Sequence, residues 1–221
     1  MTRTTNARIA GFTFLFYIAT GITSLVVFGR ATSGDGIAAK LASIAQHATD
    51  VRVYAVLILF TSLCALVLGV TLYAITREQD PDVAMLGMTC RVIEAVNGAT
   101  SIKGTLGLIW LATAAAGQNA LDAGAVQALA AFQLRGSATI SATFFAVGST
   151  LFSWLLLRGR MIPAPMARLG VGASVLLVLV LPLQLGGLFT GLVGWLVWMP
   201  MLVFEVWLAL WFLIKGVAVP S

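Results

Sequence analysis

Five or six long apolar stretches take up most of this chain, set apart by short polar segments. A helix needs about 20 apolar residues to cross the hydrocarbon core of a bilayer. On that measure the pattern predicts six crossings, at about 8–29, 51–76, 83–116, 125–157, 169–189 and 195–215. The longest polar stretch, 30–50, follows the first crossing. Within it Ile37, Leu41, Ile44 and Ala48 recur at spacings of three and four, the signature of a short amphipathic helix lying on the membrane surface, with a plain connector as the alternative.

The punctuation between crossings is chemically distinct. Arg77-Glu-Gln-Asp-Pro-Asp82 ends the second stretch with charges and a proline that stops the helix. The third stretch, Val83 to Ala116, is longer than one crossing, so it must tilt, project from the bilayer or break, and Gly98, Gly104 and Gly107 offer places to bend. The fourth is also over-long and carries Arg135 about a third of the way in; projection of its first turns would lift that arginine to the interface. The segment Arg158 to Arg168 is a basic loop held extended by Pro163 and Pro165. The fifth crossing contains Pro182, and a tight turn over Thr190 to Gly194 leads to the sixth. That glycine cluster lacks the lysine and the strand-to-helix context of a phosphate-binding loop.

Composition places these stretches in lipid. Of the 221 residues, 60% are hydrophobic and 10% charged, against roughly 45–50% and about 25% in a soluble domain. The prediction is an all-α polytopic membrane protein, a six-transmembrane-helix bundle forming one domain over 1–221. The opening Met1-Thr-Arg-Thr-Thr-Asn-Ala-Arg8 and the run behind it superficially resemble a signal peptide. The run Ile9 to Phe28 is longer than the roughly 7–15 residues of a signal core, and no small-residue cleavage site follows, so a retained first helix is expected.

The net charge of +5 comes from basic residues scattered singly at segment ends, without the clustered stripe that nucleic acid requires. They read as topology signals. With six crossings, one side receives Arg3, Arg8, Arg77, Arg158, Arg160, Arg168 and Lys215, and the other only Arg30, Lys40 and Arg52, which puts both termini in the cytoplasm of a bacterium with the chain in its inner membrane. Cys64 and Cys90 fall inside predicted crossings without the spacing of a disulfide framework or zinc site, and read as buried thiols. His47 is the single histidine, so haem held by two histidines of one chain, a histidine-rich metal site and a serine–histidine–acid triad all lack their ligands or base. No internal repeat suggests inverted halves.

The informative residues are charges at lipid depth. An ionisable side chain there costs roughly 2.5–3.5 kcal/mol on insertion scales, so it faces the protein interior and finds a partner. Arg91 and Glu94 are three apart and share a helical face. Asn97, Ser101 and Thr105 continue that face, while Lys103 points away. Glu205 lies near the middle of the sixth crossing without a cation on its own helix, and Pro200 five residues earlier interrupts the backbone ladder. Its partner is Arg91, Lys103 or Arg135, or else it is protonated and neutral. Three readings of these charges stay open: struts that lock helices together, a ligand or ion site, and proton-coupled chemistry. Ser137, Thr139, Ser141 and Thr143 line the fourth crossing, where hydroxyls commonly bond backbone carbonyls or pack against neighbours. Trp195 and Trp198 suit an interfacial aromatic belt, and Trp207 and Trp211 form a ridge facing lipid, a partner subunit or a flat apolar ligand such as a quinone or carotenoid.

Several pieces occur in a telling order: Arg8-Ile-Ala-Gly-Phe12, Cys90-Arg-Val-Ile-Glu-Ala95, Leu155-Leu-Leu-Arg-Gly159 followed by Ile162-Pro163, and Phe204-Glu-Val-Trp-Leu-Ala-Leu-Trp-Phe-Leu-Ile-Lys-Gly216. Together they resemble a bacterial six-helix integral-membrane family, domain of unknown function 4386, over essentially the whole chain. The resemblance implies a six-helix inner-membrane fold and no activity of its own. Where the family pattern leads one to expect a histidine in the fourth helix, this chain has Gln133-Leu-Arg-Gly136, so no role of such a histidine is carried over.

The expectation is therefore a non-enzymatic membrane protein whose third, fourth and sixth helices form a polar pocket lined by Arg91, Glu94, Asn97, Arg135 and Glu205. That pocket binds or moves a small amphipathic or anionic molecule, with arginine as the charge complement. The alternative is an accessory subunit of a larger respiratory or photosynthetic membrane complex, docked through the aromatic sixth helix; a homo-oligomer is equally compatible. A membrane enzyme acting on lipid ranks third, because Asp35, Asp50, Asp80, Asp82 and Asp122 show no paired spacing with a histidine or a second metal ligand. No metal ligands and no cofactor are assigned.

Overall fold

A computed structural model describes residues 1–114, 122–134, 138–189 and 191–218. Within them the chain is helical throughout: α1 (Arg3–Ala31), α2 (Gly36–Gln46), α3 (Ala48–Thr76), α4 (Pro81–Ala114), α5 (Ala123–Leu134), α6 (Ala138–Arg158), α7 (Ala164–Leu185), α8 (Leu192–Leu196) and α9 (Met199–Ile214). Long apolar runs take this form because a helix satisfies its backbone N–H and C=O groups internally, which lipid cannot do. Among the described residues, five stretches are long and apolar enough to cross a membrane: Arg3–Ala31, Ala48–Thr76, Ala123–Arg158, Ala164–Leu185 and Leu192–Ile214. The longest helix, α4, is not among them and carries Arg91, Glu94, Asn97 and Lys103.

Local chemistry sets the helix ends. The charged turn after α3 caps α4: Asp80 Oδ1 accepts the Val83 amide at 3.2 Å, and Pro81 stands at the first helical position, where its missing N–H is no loss. Thirty-four residues run through α4 without a break, so Gly98, Gly104 and Gly107 do not interrupt it. At about 1.5 Å per residue that is about 50 Å of helix, well beyond a hydrocarbon core of about 30 Å. Pro200 also behaves differently from expectation. It sits in the first turn of α9, behind the short α8, and therefore begins the helix that carries Glu205 rather than interrupting it.

The chain divides into two compact units. The first comprises Met1–Tyr17, Leu63–Val96 and Ala138–Ser221, and the second Ile18–Ser62 and Asn97–Ser137. In the first, α6 packs on α7 and α7 on α9. Its core joins Ala10 and Phe14 of α1, Leu68 and Leu72 of α3, Phe152 and Leu156 of α6, Leu177 of α7 and Phe204, Leu208 and Phe212 of α9. Outward faces of the same unit are also apolar: Val70 is 58% exposed, Leu179 62% and Val203 57%, a distribution suited to lipid rather than water.

In the second unit α2 packs against α5. Leu41 and Ile44 are buried together with Val51, Leu108, Leu111, Val126 and Ala130. A helix does form in the 30–50 segment, then, and Leu41 and Ile44 of its apolar face pack on protein. The polar stripe expected after Glu94 is spent locally here: Ser101 Oγ donates to the Gly98 carbonyl at 2.7 Å and Thr105 Oγ1 to that of Ser101 at 3.2 Å. Lys103 is exposed.

Candidate functional site

Arg91 is the largest fully buried side chain of the chain's described residues, 1% exposed. Its stem fits because two neighbouring helices present glycine to it. A Cβ added at Gly69 of α3 would lie 3.0 Å from Arg91 Cβ, and one at Gly148 of α6 would lie 3.4 Å from Arg91 Cδ and 3.1 Å from the Gly87 carbonyl. The guanidinium carbon lies 5.3 Å from the centre of the Tyr17 ring and 5.0 Å from that of Phe145, within cation–π range of both. Those two rings are nearly parallel, 6° apart, with centres separated by 6.3 Å, and Trp198 approaches Phe145 at 5.9 Å.

One turn along α4, Glu94 Oε2 stands 2.9 Å from Arg91 Nη1. Its other carboxylate oxygen accepts a hydrogen bond from the Tyr17 hydroxyl at 2.8 Å. Ser141 of α6 donates to the Glu94 backbone carbonyl at 3.0 Å, fixing α6 against this turn. Glu205 of α9, 5% exposed, completes the cluster; Arg91 and Glu94 both act on it electrostatically. Among the described residues it forms no ion pair.

Among the described residues, four buried polar atoms of this cluster have no hydrogen-bond partner: Arg91 Nε, Arg91 Nη2, Glu94 Oε2 and Glu205 Oε1. For Glu94 Oε2 the approach of Arg91 is an ionic contact without hydrogen-bond alignment. Buried polar groups are ordinarily satisfied, and each orphan costs about 1–3 kcal/mol. The space beside Glu205 is small. A void of about 10 Å³, lined by Ser149 and Ser153 of α6, Leu72 of α3 and Phe14, Phe204 and Leu208, is at the lower limit for one water.

Of the residues singled out by sequence, Arg91, Glu94 and Glu205 come together in the first unit. Asn97 belongs to the second unit and is half-buried, and Arg135 lies outside the described residues. Sequence reasoning missed Tyr17 and Phe145. A signal for the tyrosine was available: its hydroxyl sits within the apolar run of α1, where it needs an acceptor supplied by another helix. Phe145 carries no such mark. Trp198 is half-buried against Phe145, and Trp211 is half-buried against the core, while Trp207 is 42% exposed. Both thiols, Cys64 and Cys90, are free and buried.

The arrangement brings one guanidinium, two carboxyl groups and a phenol into a water-poor interior walled by aromatic rings. Among the described residues it offers two guanidinium nitrogens with unspent N–H donors on a permanent cation, and a second carboxyl group with no cation of its own. Such a site suits binding of a charged group or exchange of a proton.

No curated protein and no solved structure matches this chain. A family pattern matches residues 9–216, nearly the whole length. The chain belongs to that family, described as a domain of unknown function (DUF4386).

Proposed function

We propose that this protein is a multi-pass protein of the bacterial inner membrane that binds or carries a small amphipathic anion, with Arg91 as the docking cation. One observation carries the reading: among the described residues, two nitrogens of a fully buried guanidinium, Nε and Nη2, keep their N–H donors unspent beside the rings of Tyr17 and Phe145. A planar cation with free donors recognises a carboxylate, sulfonate or phosphate, and an aromatic wall suits an apolar body. The water-sized void nearby is far smaller than the about 300 Å³ at which ligand pockets begin. Binding therefore requires the helices around Arg91 to part, as in carriers that alternate between two faces. The test is uptake of labelled benzenesulfonate and octanesulfonate into proteoliposomes, since these permanent anions cross bare bilayers slowly. Flux above that of protein-free vesicles, reduced at least tenfold by Arg91→Gln, supports the reading; flux equal to the empty vesicles refutes it.

A second reading has its own observation. Val203, Trp207, Leu210 and Ile214 are all exposed at helical spacings of three and four, forming one apolar ridge along α9. Such a ridge also fits docking against another membrane subunit, as an accessory component of a larger complex. Extraction in mild detergent separates the two: co-migrating polypeptides well above 23.2 kDa favour the complex, and a lone chain favours the carrier.

A further inference from the structure

We infer that Glu205 is a proton-binding site, and that the solute carried at Arg91 moves together with a proton. The second half rests on the carrier reading above; the first stands on the geometry of the cluster alone.

A guanidinium stays protonated in proteins, so ionisation of both carboxyl groups would leave this interior with one guanidinium against two carboxylates, an excess of one negative charge. Glu94 is equipped to be the ionised partner. It has the Arg91 guanidinium at 2.9 Å and the Tyr17 hydroxyl donating at 2.8 Å. Glu205 is equipped with neither: its Oε1 is buried without a partner, and among the described residues no cation lies within ion-pairing distance.

The groups facing Glu205 confirm the asymmetry element by element. From α1 comes Tyr17, and from α4 come Arg91 and Glu94. The void at Glu205 is otherwise walled by Phe14 of α1, by Leu72 of α3, by Ser149, Phe152, Ser153 and Leu156 of α6 and by α9's own Met201, Phe204 and Leu208, none of them ionisable. An unpaired carboxylate at this depth is the costliest arrangement available. A proton on Glu205 removes the excess charge and creates an O–H donor. The two serine hydroxyls of α6, four apart on one helical face, border the same void and offer acceptors for that donor, directly or through one water.

The consequence for transport follows from the same count. An anion taking Arg91's free donors adds one negative charge to a neutral cluster, and one further proton on the Glu94–Glu205 pair restores neutrality. Solute and proton then enter together and leave together, with no bond made or broken except the O–H of the carboxyl group.

The experiment is infrared difference spectroscopy on the full chain in liposomes at neutral pH, in water and in deuterium oxide. Of the eight acidic residues, only Glu94 and Glu205 are buried, so a carbonyl stretch from a protonated, water-shielded carboxyl group has two possible sources. The expected result is such a band in the wild type, shifted on deuteration, lost in Glu205→Gln and moved in frequency in Glu205→Asp. Absence of the band, its survival in Glu205→Gln, or its dependence on sodium ions would overturn the inference. Should Glu205→Gln not fold, as judged by helix content and elution as a single species, the frequency of the band in Glu205→Asp decides the source: a band that does not move overturns the inference.

A second arm separates this inference from the carrier reading. A benzenesulfonate gradient imposed on proteoliposomes containing a trapped pH dye should move protons inward with the anion, falling to the empty-vesicle level in the double variant Glu94→Gln, Glu205→Gln, which leaves the cluster no carboxyl group to take the proton. The carbonyl band without flux leaves Glu205 as a proton site and removes the carrier. Flux without proton movement keeps the carrier and removes the coupling.

Discussion

The Tyr17 hydroxyl does two things at once: it satisfies one oxygen of Glu94 and holds an aromatic ring against Arg91. Tyr17→Phe separates them, since the ring remains and the hydroxyl's hydrogen bond to a charged group is lost. A cost of about 1.5–3 kcal/mol is expected, read as a lowered melting temperature in detergent with unchanged helix content. Arg91→Ala should be harsher, about 3–5 kcal/mol, because it leaves buried carboxylate charge without its compensation. The double variant Arg91→Met, Glu94→Met should recover much of that loss, since a buried ion pair is often replaceable by apolar side chains of similar volume. The pairing of Arg91 with Glu94 could be read from their spacing of three. Tyr17 could not be ranked above other aromatic residues, because its importance comes from α1 bringing it to a turn of α4 some 77 positions away.

Between elements, close approach is what the small residues provide. A Cβ on Gly11 of α1 would lie 2.7 Å from the Ala209 carbonyl of α9, and backbone cannot swing aside as a side-chain tip can. Gly11→Ala should therefore push α1 from α9 and cost about 1–3 kcal/mol, again measurable by melting in detergent. Gly21→Ala, with open space around it, serves as the control and should be neutral or slightly stabilising. The second unit offers a different test. Ile44 of α2 is fully buried in its core, so Ile44→Ala should cost about 2–5 kcal/mol, whereas a helix resting only on lipid would tolerate the change. Limited proteolysis across Gly36 to Gln46 reads the difference directly. The spacing of Ile37, Leu41 and Ile44 announced an amphipathic helix, but the surface that receives it is assembled from α4 and α5, and periodicity carries no information about which apolar phase, lipid or protein, covers a face.

At the scale of the whole chain, apolar side chains cover the outward faces while Arg91, Glu94 and Glu205 lie inside. That polarity is the reverse of a water-soluble domain and predicts release from membranes by detergent but not by alkaline carbonate. The basic bias of the loops further predicts that a periplasm-dependent reporter such as alkaline phosphatase, fused after Ser221, stays inactive, while a fluorescent reporter matures there. The helical class, the apolar character of the long helices and the identity of the charged residues that end up buried were legible in the linear pattern, because each follows from the local cost of placing backbone or charge in an apolar surrounding. The grouping of Glu205 with Arg91 and Glu94, the aromatic wall of Tyr17 and Phe145, the glycine gaps that admit the arginine stem and the start of α9 at Pro200 were decided by packing. They depend on which faces of sequence-distant helices meet, and the free energy of that meeting lies in shape and charge complementarity across helices rather than along any one of them.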